Sequence, residues 1–556
     1  MQHLVENLVT DTLTVSLPLY WPELVLCTTI VLLLFVKLFS RLDWVDPFYI
    51  AVVGTIFALG TCAPAEGFGS LSTMQPTELF TGMLIYDGLT MFLRMVLLLF
   101  VLLLIVLCKL TGLARRYDGQ DLYVLLLGAT LGMCIMAAAN HLMTVFLGIE
   151  MASVPSYVLV GAVRNSRRTG EAALKYAIYG AGAAGVMLYG ISLLAGIAGT
   201  AHLPTIGHQL AMADLPGLIA EGQDLGVLAA LVLAGLMIGV GLAFKLSAVP
   251  FHFWCPDAFE GGTAEVAAFL SVASKAAALA LLVRVTMAMC SPVAEAGPDV
   301  LAIVESPPVV AVSTQSVAAA GSEAPLTPVR TYLATLIAVV AAVTCTFGNL
   351  AAYGQSNIKR MLAYSTIAHA GYMMMPVAAM ALLTGQSASA ADQAVASLLI
   401  YIGVYLFMNL SAFAIVAFLK QAMGSEEIHD YAGLVREAPL LTILMVLTLA
   451  SLLGIPPLAG FLGKFAAFAV LAEAGTPMTI ALLVIAGLNT VISLVYYWRV
   501  VRVMCLMPEP VTRGPLQLTA WPTAYAVLVT LPLLLIFLFP SGLTNLAQSA
   551  AETLLP

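Results

Sequence analysis

Four ionisable residues stand deep inside otherwise apolar stretches: Glu150 in FLGIEMASVPSY, Lys245 in GLAFKLSAVPFHF, Lys275 in FLSVASKAAALALL and Lys464 in GIPPLAGFLGKF. An ammonium or carboxylate at bilayer depth costs about 2.5–3.5 kcal/mol on insertion scales, so it faces the protein interior and marks an ion or proton pathway. Lys275 lies eleven residues into its span, about 16 Å along a helix axis at 1.5 Å per residue, beyond the reach of a snorkelling side chain. Lys245 and Lys464 lie nearer helix ends, where snorkelling is the plain alternative. For Glu150 the plain alternative is a protonated, hydrogen-bonded packing residue. His252 and His369 are two further buried candidates, since an imidazole can pass protons near neutral pH, although a lone buried histidine is as often structural. Five residues after Lys245, Pro250 removes a backbone donor and breaks the helix. A buried charge beside an interrupted helix is how ion carriers build their sites.

These residues need a membrane to be buried in, and the composition supplies one. The chain has 556 residues, 61% hydrophobic and only 9% charged, with mean hydropathy +1.01. A soluble domain carries about 25% charged residues. The net charge of -8 argues against nucleic-acid binding. The eight cysteines are scattered with no CxxC pair, and no Gly-rich phosphate loop follows a strand, so no redox cofactor is expected in this chain.

The apolar pattern predicts an all-α membrane protein of about fourteen spans, near 19–40, 46–61, 88–110, 121–139, 141–163, 171–198, 226–254, 264–289, 331–353, 358–382, 394–419, 440–463 (extending to 472), 478–503 and 519–540. The first fifteen residues hold Glu6 and Asp11 but no Lys or Arg, which is unlike a cleavable signal peptide. Most of the 22 Lys and Arg flank loops that follow odd-numbered spans, whereas 62–81, 200–224 and 383–393 have none. By the positive-inside rule the odd loops face the cytoplasm and both termini face outward. Asp87 and Arg94, seven apart, are expected to pair near the outer surface.

A Ser-, Pro- and Ala-rich connection at 291–330 separates two blocks of five spans, the fourth to eighth and the ninth to thirteenth. An odd number of spans per block inverts the second relative to the first. Lys245 and Pro250 in span seven are answered by Pro456, Pro457 and Lys464 in span twelve. Two interrupted helices in matching places of inverted repeats point to a transport site. The organisation expected is 1–120 for spans one to three, 121–290 for the first repeat, 291–330 for an outward linker, 331–505 for the second repeat and 506–556 for span fourteen and the tail.

PELVL (22–26), LGIEMASVPSYVL (147–159), EAALKYAIYGAGAAGVMLYG (171–190), FKLSAVPFHFWCPDAFEG (244–261), NIKRMLAYSTIAHAGYMM (357–374), MNLSAFA (408–414), DYAGL (430–434) and GIPPLAGFLGKF (454–465) together resemble the antiporter-like membrane subunits of proton-pumping NADH:quinone oxidoreductase, respiratory complex I. PDAFEG after the broken helix is similar to the N type among them. The 291–328 connection is longer than that family leads one to expect. The resemblance implies proton translocation, with Glu150 and Lys245 as partners, Lys275 as the central relay and Lys464 towards the exit. It also implies a cell inner membrane location. NADH, FMN, iron–sulfur clusters and quinone would be handled by partner subunits, among other antiporter-like and small helical subunits and membrane lipids. Two rivals stand beside it: a cation/proton antiporter subunit of the same superfamily, and a scaffold subunit with no proton traffic.

Overall fold

A computed structural model describes residues 9–554 apart from 40–43, 63–73, 117–118, 164–165, 214, 217–218, 220–224, 292–324, 511–515 and 517–519. The described chain is almost wholly helical, and twelve of its helices are long and apolar enough to cross a membrane. In chain order the helices used below are α1 (Trp21–Leu38), α2 (Pro47–Thr61), α3 (Gly88–Leu110), α4 (Gly119–Ala138), α5 (Leu142–Val160), α6 (Arg167–Ala198), α7 (Leu225–Leu246), α8 (Ala264–Cys290), α9 (Thr327–Ala352), α10 (Ile358–Leu383), α11 (Ala388–Met423), α12 (Pro439–Leu453), α13 (Ala459–Ala474) and α14 (Pro477–Leu506). A last pair, Ala520–Thr530 and Pro532–Leu538, follows. Helices α2 and α12 are apolar but only 15 residues long, about 22 Å, short of a hydrocarbon core of about 30 Å. Most of the 291–330 linker lies outside the described residues, and α9 begins at Thr327, four residues before the expected start.

α8 shows why hydrophobicity all round a helix places it at the centre of a bundle. Thr263 caps it, its side chain accepting from the Val266 N–H. From there its Ala- and Leu-rich faces pack against α3 and α4 on one side and α10 and α11 on the other. The spanning part of α8 is entirely buried, and α10 and α11 nearly so. By contrast α6, α7 and α14 present leucine, valine and tyrosine outward, a surface suited to lipid.

Two helices stop in mid-bundle, and each stop has the same steric origin. A proline ring clashes with the carbonyl four residues before it. Helix α7 ends at Leu246, four before Pro250, and resumes as the short helix Trp254–Gly261. Helix α12 ends at Leu453, four before Pro457, and α13 starts at Ala459. Both stops turn through a left-handed residue: Ser247 at φ 57° and Gly454 at φ 90°.

The loops sort to two ends of the bundle. At one end a hairpin of β1 (Thr77–Leu79) and β2 (Leu84–Tyr86), with Glu78 opposite Ile85, meets Asn140 and His202. These belong to the segments the basic-residue pattern places outside. Hydrogen bonds from His202 and Asn140 hold the Glu78 carboxyl below its ordinary range against the opposing effect of burial. At the other end Arg360 reaches Asp257 (2.7 Å) and Glu260 (2.6 Å), while Lys359 pairs with Glu426 (2.9 Å). Arg168 pairs with Glu260 as well.

The expected Asp87–Arg94 pair does not form. Seven residues are two full turns, about 10 Å of rise, and Asp87 is committed to capping α3, accepting from the Thr90 N–H. Asp87 instead takes Arg284 of α8 at 2.5 and 2.6 Å, and Arg94 takes Glu23 of α1 at 2.6 Å. All four side chains are buried, so each charge is removed from water only with its partner in place.

Candidate functional site

Of the four buried lysines, Lys359 sits at the basic end described above, and Lys245, Lys275 and Lys464 gather at the two helix stops. Lys275 sits mid-way along α8 with no measurable exposure, and its Nζ donates to Ser247 Oγ at 2.7 Å. The same ammonium lies 5.2 Å from the centre of the Trp254 ring, within cation–π range. Trp254 is itself fixed, its indole N–H donating to the Phe244 carbonyl at 2.9 Å and its ring stacked on Tyr176 at 4.1 Å. Ser247 adopts a left-handed conformation that costs an L-residue about 1–2 kcal/mol. That cost falls on a residue whose hydroxyl faces a buried charge.

Lys245 occupies the last turn of α7 and is also fully buried. Its Nζ donates to Ser153 Oγ on α5 at 3.0 Å. Glu150 stands on the same helix three residues earlier, one turn away, and is half-buried rather than enclosed. Lys245 therefore reaches Glu150's neighbour rather than Glu150 itself.

At the second stop Lys464, in the second turn of α13, folds back so that Nζ donates to the Leu453 carbonyl at 2.9 Å. Ending α12 at Leu453 leaves its terminal carbonyls without helical donors, and the lysine fills one of them. The ammonium also lies 4.8 Å from the centre of the Tyr372 ring. The close approach that allows this is set by Gly460, where a Cβ would fall 1.7 Å from the Ser451 carbonyl oxygen.

The two histidines part company. His369 is in α10 and is held on both ring nitrogens: Nδ1 lies 2.9 Å from the Tyr401 hydroxyl and Nε2 lies 3.4 Å from that of Tyr497. Tyr497 continues to Ser365 Oγ at 2.5 Å, and Tyr405 lies beside the imidazole with ring centres 5.3 Å apart. Tyr372, one turn beyond His369, accepts from Asn349 Nδ2 at 3.2 Å. His369 is thus part of a buried hydroxyl chain adjoining Lys464. His252, in the first stop, packs its ring against Phe253 and Phe347 at 4.3 and 4.4 Å. Among the described residues no hydrogen bond joins His252 to the lysines.

Sequence reasoning missed the groups that hold these charges. Ser153 was findable, three residues from Glu150 on one helix face. Tyr372 carried the same signal relative to His369. Ser247, Trp254, Tyr401 and Tyr497 carried none, because their relation to the lysines and to His369 exists only once the chain folds.

Residues 139–306 and 309–493 match the family described as NADH:quinone oxidoreductase/Mrp antiporter, TM. NADH-quinone oxidoreductase subunit N of Anaeromyxobacter sp. (strain Fw109-5) is 37% identical over 476 residues, 83% of each chain. A chain of respiratory complex I from Thermus thermophilus with bound aureothin aligns with 28% identity and a TM-score of 0.68, covering 94% of this chain and 98% of that one. A chain of the Mrp complex from Dietzia sp. DQ12-45-1b shares the fold at 18% identity and a TM-score of 0.72, covering 98% and 97%. With buried lysines set at two interrupted helices, and with these likenesses over nearly its whole length, the chain belongs to the antiporter-like family of NADH-quinone oxidoreductase membrane subunits, as a member of the subunit N type.

Proposed function

We propose that the chain carries protons across the membrane arm of NADH:quinone oxidoreductase through Glu150, Lys245, Lys275 and Lys464, with His369 as a member of the relay and His252 as a candidate the geometry favours less. The observation that carries this reading is Lys275: a lone ammonium at the middle of a fully buried helix, held by a hydroxyl that can both accept and donate. A group so held keeps a partner whether or not it bears its proton. The bundle would comprise fourteen spans, counting α2 as one and each interrupted helix as one. It would hold two inverted repeats, with α4–α8 answering α9–α14 and the two stops in matching places. The organisation 1–120, 121–290, 291–330, 331–505 and 506–556 follows from that symmetry.

Both termini would face outward from a cell inner membrane, because the loops at the basic end are those expected inside. NADH, FMN, iron–sulfur clusters and quinone would be handled by partner subunits. Among the described residues no three His, Cys, Asp or Glu side chains are grouped to hold a metal ion, and the cysteines are free and dispersed. This chain would contribute proton movement.

The test is pumping by the assembled complex in proteoliposomes. Lys275→Ala is expected to slow pumping at least about a hundredfold, the lower end of what a positioned proton-transfer group contributes. Lys109→Ala, which removes a rim ion pair to Asp46 and a contact with the Phe48 ring, is expected to leave it near wild type. Equal rates in the two variants sink the relay. A second reading, a cation/proton antiporter subunit, is favoured by the fold shared with the Mrp chain. It requires cation-dependent transport and no co-purifying flavin-bearing arm.

A further inference from the structure

Beside the first helix stop lies a cavity of about 610 Å³ that plays no part in the proton reading. Its walls are Leu236 and Gly239 of α7, Leu282 and Thr286 of α8, and Leu336 and Val340 of α9. Helices α7 and α9 touch where Tyr332 covers Gly235, a Cβ there falling 3.2 Å from the tyrosine ring. One turn deeper the walls part, and a Cβ on Gly239 would meet nothing within 4 Å. The rim residues Val232 and Leu236 are exposed on the lateral surface of the bundle, so the cavity opens sideways.

Three observations specify what fits. The side-chain polarity of the lining is confined to Thr286 and Tyr332, and the Tyr332 hydroxyl already donates to the Val232 carbonyl at 3.0 Å. A cavity so lined has little to hold water. Its length is set by α9, from Pro328 at the end of the bundle read as outer to Val340: twelve residues, about 18 Å. Half of a bilayer's hydrocarbon core is about 15 Å. The groove therefore starts at one interface and ends near the midplane, the path of one hydrocarbon chain of one leaflet. Its inner tip is Val249, Pro250 and Phe251, the backbone that joins Ser247 to His252.

We infer that this groove holds a single acyl chain of an outer-leaflet phospholipid, lying between α7 and α9 with its end against the 249–251 segment. The chain replaces the side chains that α7 and α9 do not provide, and braces the stop on the side away from Lys275. That the leaflet is the outer one rests on the orientation proposed above; the groove and its occupant do not.

The experiment uses the whole complex in vesicles containing a phosphatidylcholine with a diazirine part-way along one acyl chain. After illumination, labelled peptides are mapped by mass spectrometry. Label is expected on the facing segments of α7, α8 and α9. Gly239→Trp fills the groove and is expected to cut that label at least about fivefold by steric exclusion. Gly182→Trp, at another glycine with open space around it but on α6, leaves it unchanged. If Gly239→Trp fails to assemble, Gly239→Leu carries the test with a smaller but clear reduction. Undiminished label in an assembled groove-filling variant overturns the inference. So does displacement of the label by added quinone, which would make a quinone tail the occupant. Labelling needs no proton transfer, so failure of the relay in the Lys275→Ala test leaves this result standing.

Discussion

The two interrupted helices resemble each other in cause and differ in how they hold charge. Each ends four residues before a proline, and each turns through a left-handed residue. At the first, Lys275 from a different helix meets the hydroxyl of Ser247, and Lys245 meets that of Ser153. At the second, Lys464 from the same interrupted span returns to the Leu453 backbone carbonyl. A hydroxyl can donate as well as accept, so it can serve an ammonium or a neutral amine. A carbonyl only accepts, and a neutral amine facing it gets no donor for its lone pair. At Lys275 the first stop can therefore tolerate loss of a proton, whereas at Lys245 the Ser153 hydroxyl already donates to the Ile149 carbonyl at 2.6 Å, and the second stop likewise favours keeping the proton. The left-handed residue reflects the same division, since glycine takes that conformation without steric cost and serine does not. Serine is used where its side chain has a charge to meet.

The largest expected effect on this contrast comes from Ser247. Ser247→Ala leaves the Lys275 ammonium without its acceptor, a loss of about 1.5–3 kcal/mol for a charged hydrogen bond. Expressed in the pumping rate that is about ten- to a hundredfold. Ser247→Gly should slow pumping as much but assemble better, since it removes the left-handed penalty of about 1–2 kcal/mol. Wild-type pumping in both variants would mean that the hydroxyl is not the partner. A smaller effect is expected from Gly454→Ser, which gives the second stop the residue of the first. Its Cβ would stand 3.0 Å from Lys464 Cδ, at a φ that serine adopts at a cost of about 1–2 kcal/mol. Thermal unfolding of the variant complex should fall accordingly, and an unchanged midpoint would show that the second stop is no tighter than the first.

At the basic end of the bundle Lys359 donates across to the Gly262 carbonyl of the first half at 2.6 Å and is held there by Glu426, so this clamp between the halves depends on pH. Glu426 lies in the connection after α11. Burial alone would raise its pKa, but Lys359 and Lys420 outweigh this and hold it below the ordinary value. A depressed folded value stabilises the protein above the unfolded pKa, about 4.3 for glutamate, and that contribution is lost as pH falls through the folded value. Wild-type complex should therefore lose stability on acidification below about pH 4.3 by more than Glu426→Gln does. Equal acid sensitivity in a stability titration would remove the clamp from the comparison. The smallest effect is expected from shortening 291–328, a low-charge connection between the proposed repeats. Native-gel assembly should be unchanged, and failed assembly would give that segment a docking role.

How much of this was legible beforehand depended on distance along the chain. Lys275 could be placed at depth by counting residues from the start of its span, and Pro250 announced the end of α7. The helix nonetheless stops at Leu246, because the proline acts on the carbonyl four residues back rather than at its own position. Seven-residue spacing suggested Asp87 with Arg94, but local spacing cannot see Arg284, which lies 197 residues from Asp87 in sequence. The hydroxyl chain around His369 was invisible for the same reason, since Tyr401 and Tyr497 come from other helices. What a single span encodes was readable, and what several spans assemble was not.

The acceptors of Lys245, Lys275 and Lys464 share an order with a bearing on biosynthesis, one that the Lys359–Glu426 pair at the basic end does not follow. Ser153 precedes Lys245, Ser247 precedes Lys275, and Leu453 precedes Lys464; the rings of Trp254 and Tyr372 also precede the ammonium groups they face. A chain made from its N-terminus therefore has each acceptor in or near the bilayer before the corresponding amine leaves the ribosome. Each charge can be received on arrival, by polymer already made. The faces of α8 that must wait for α10 and α11 are the apolar ones, and lipid can cover those in the meantime.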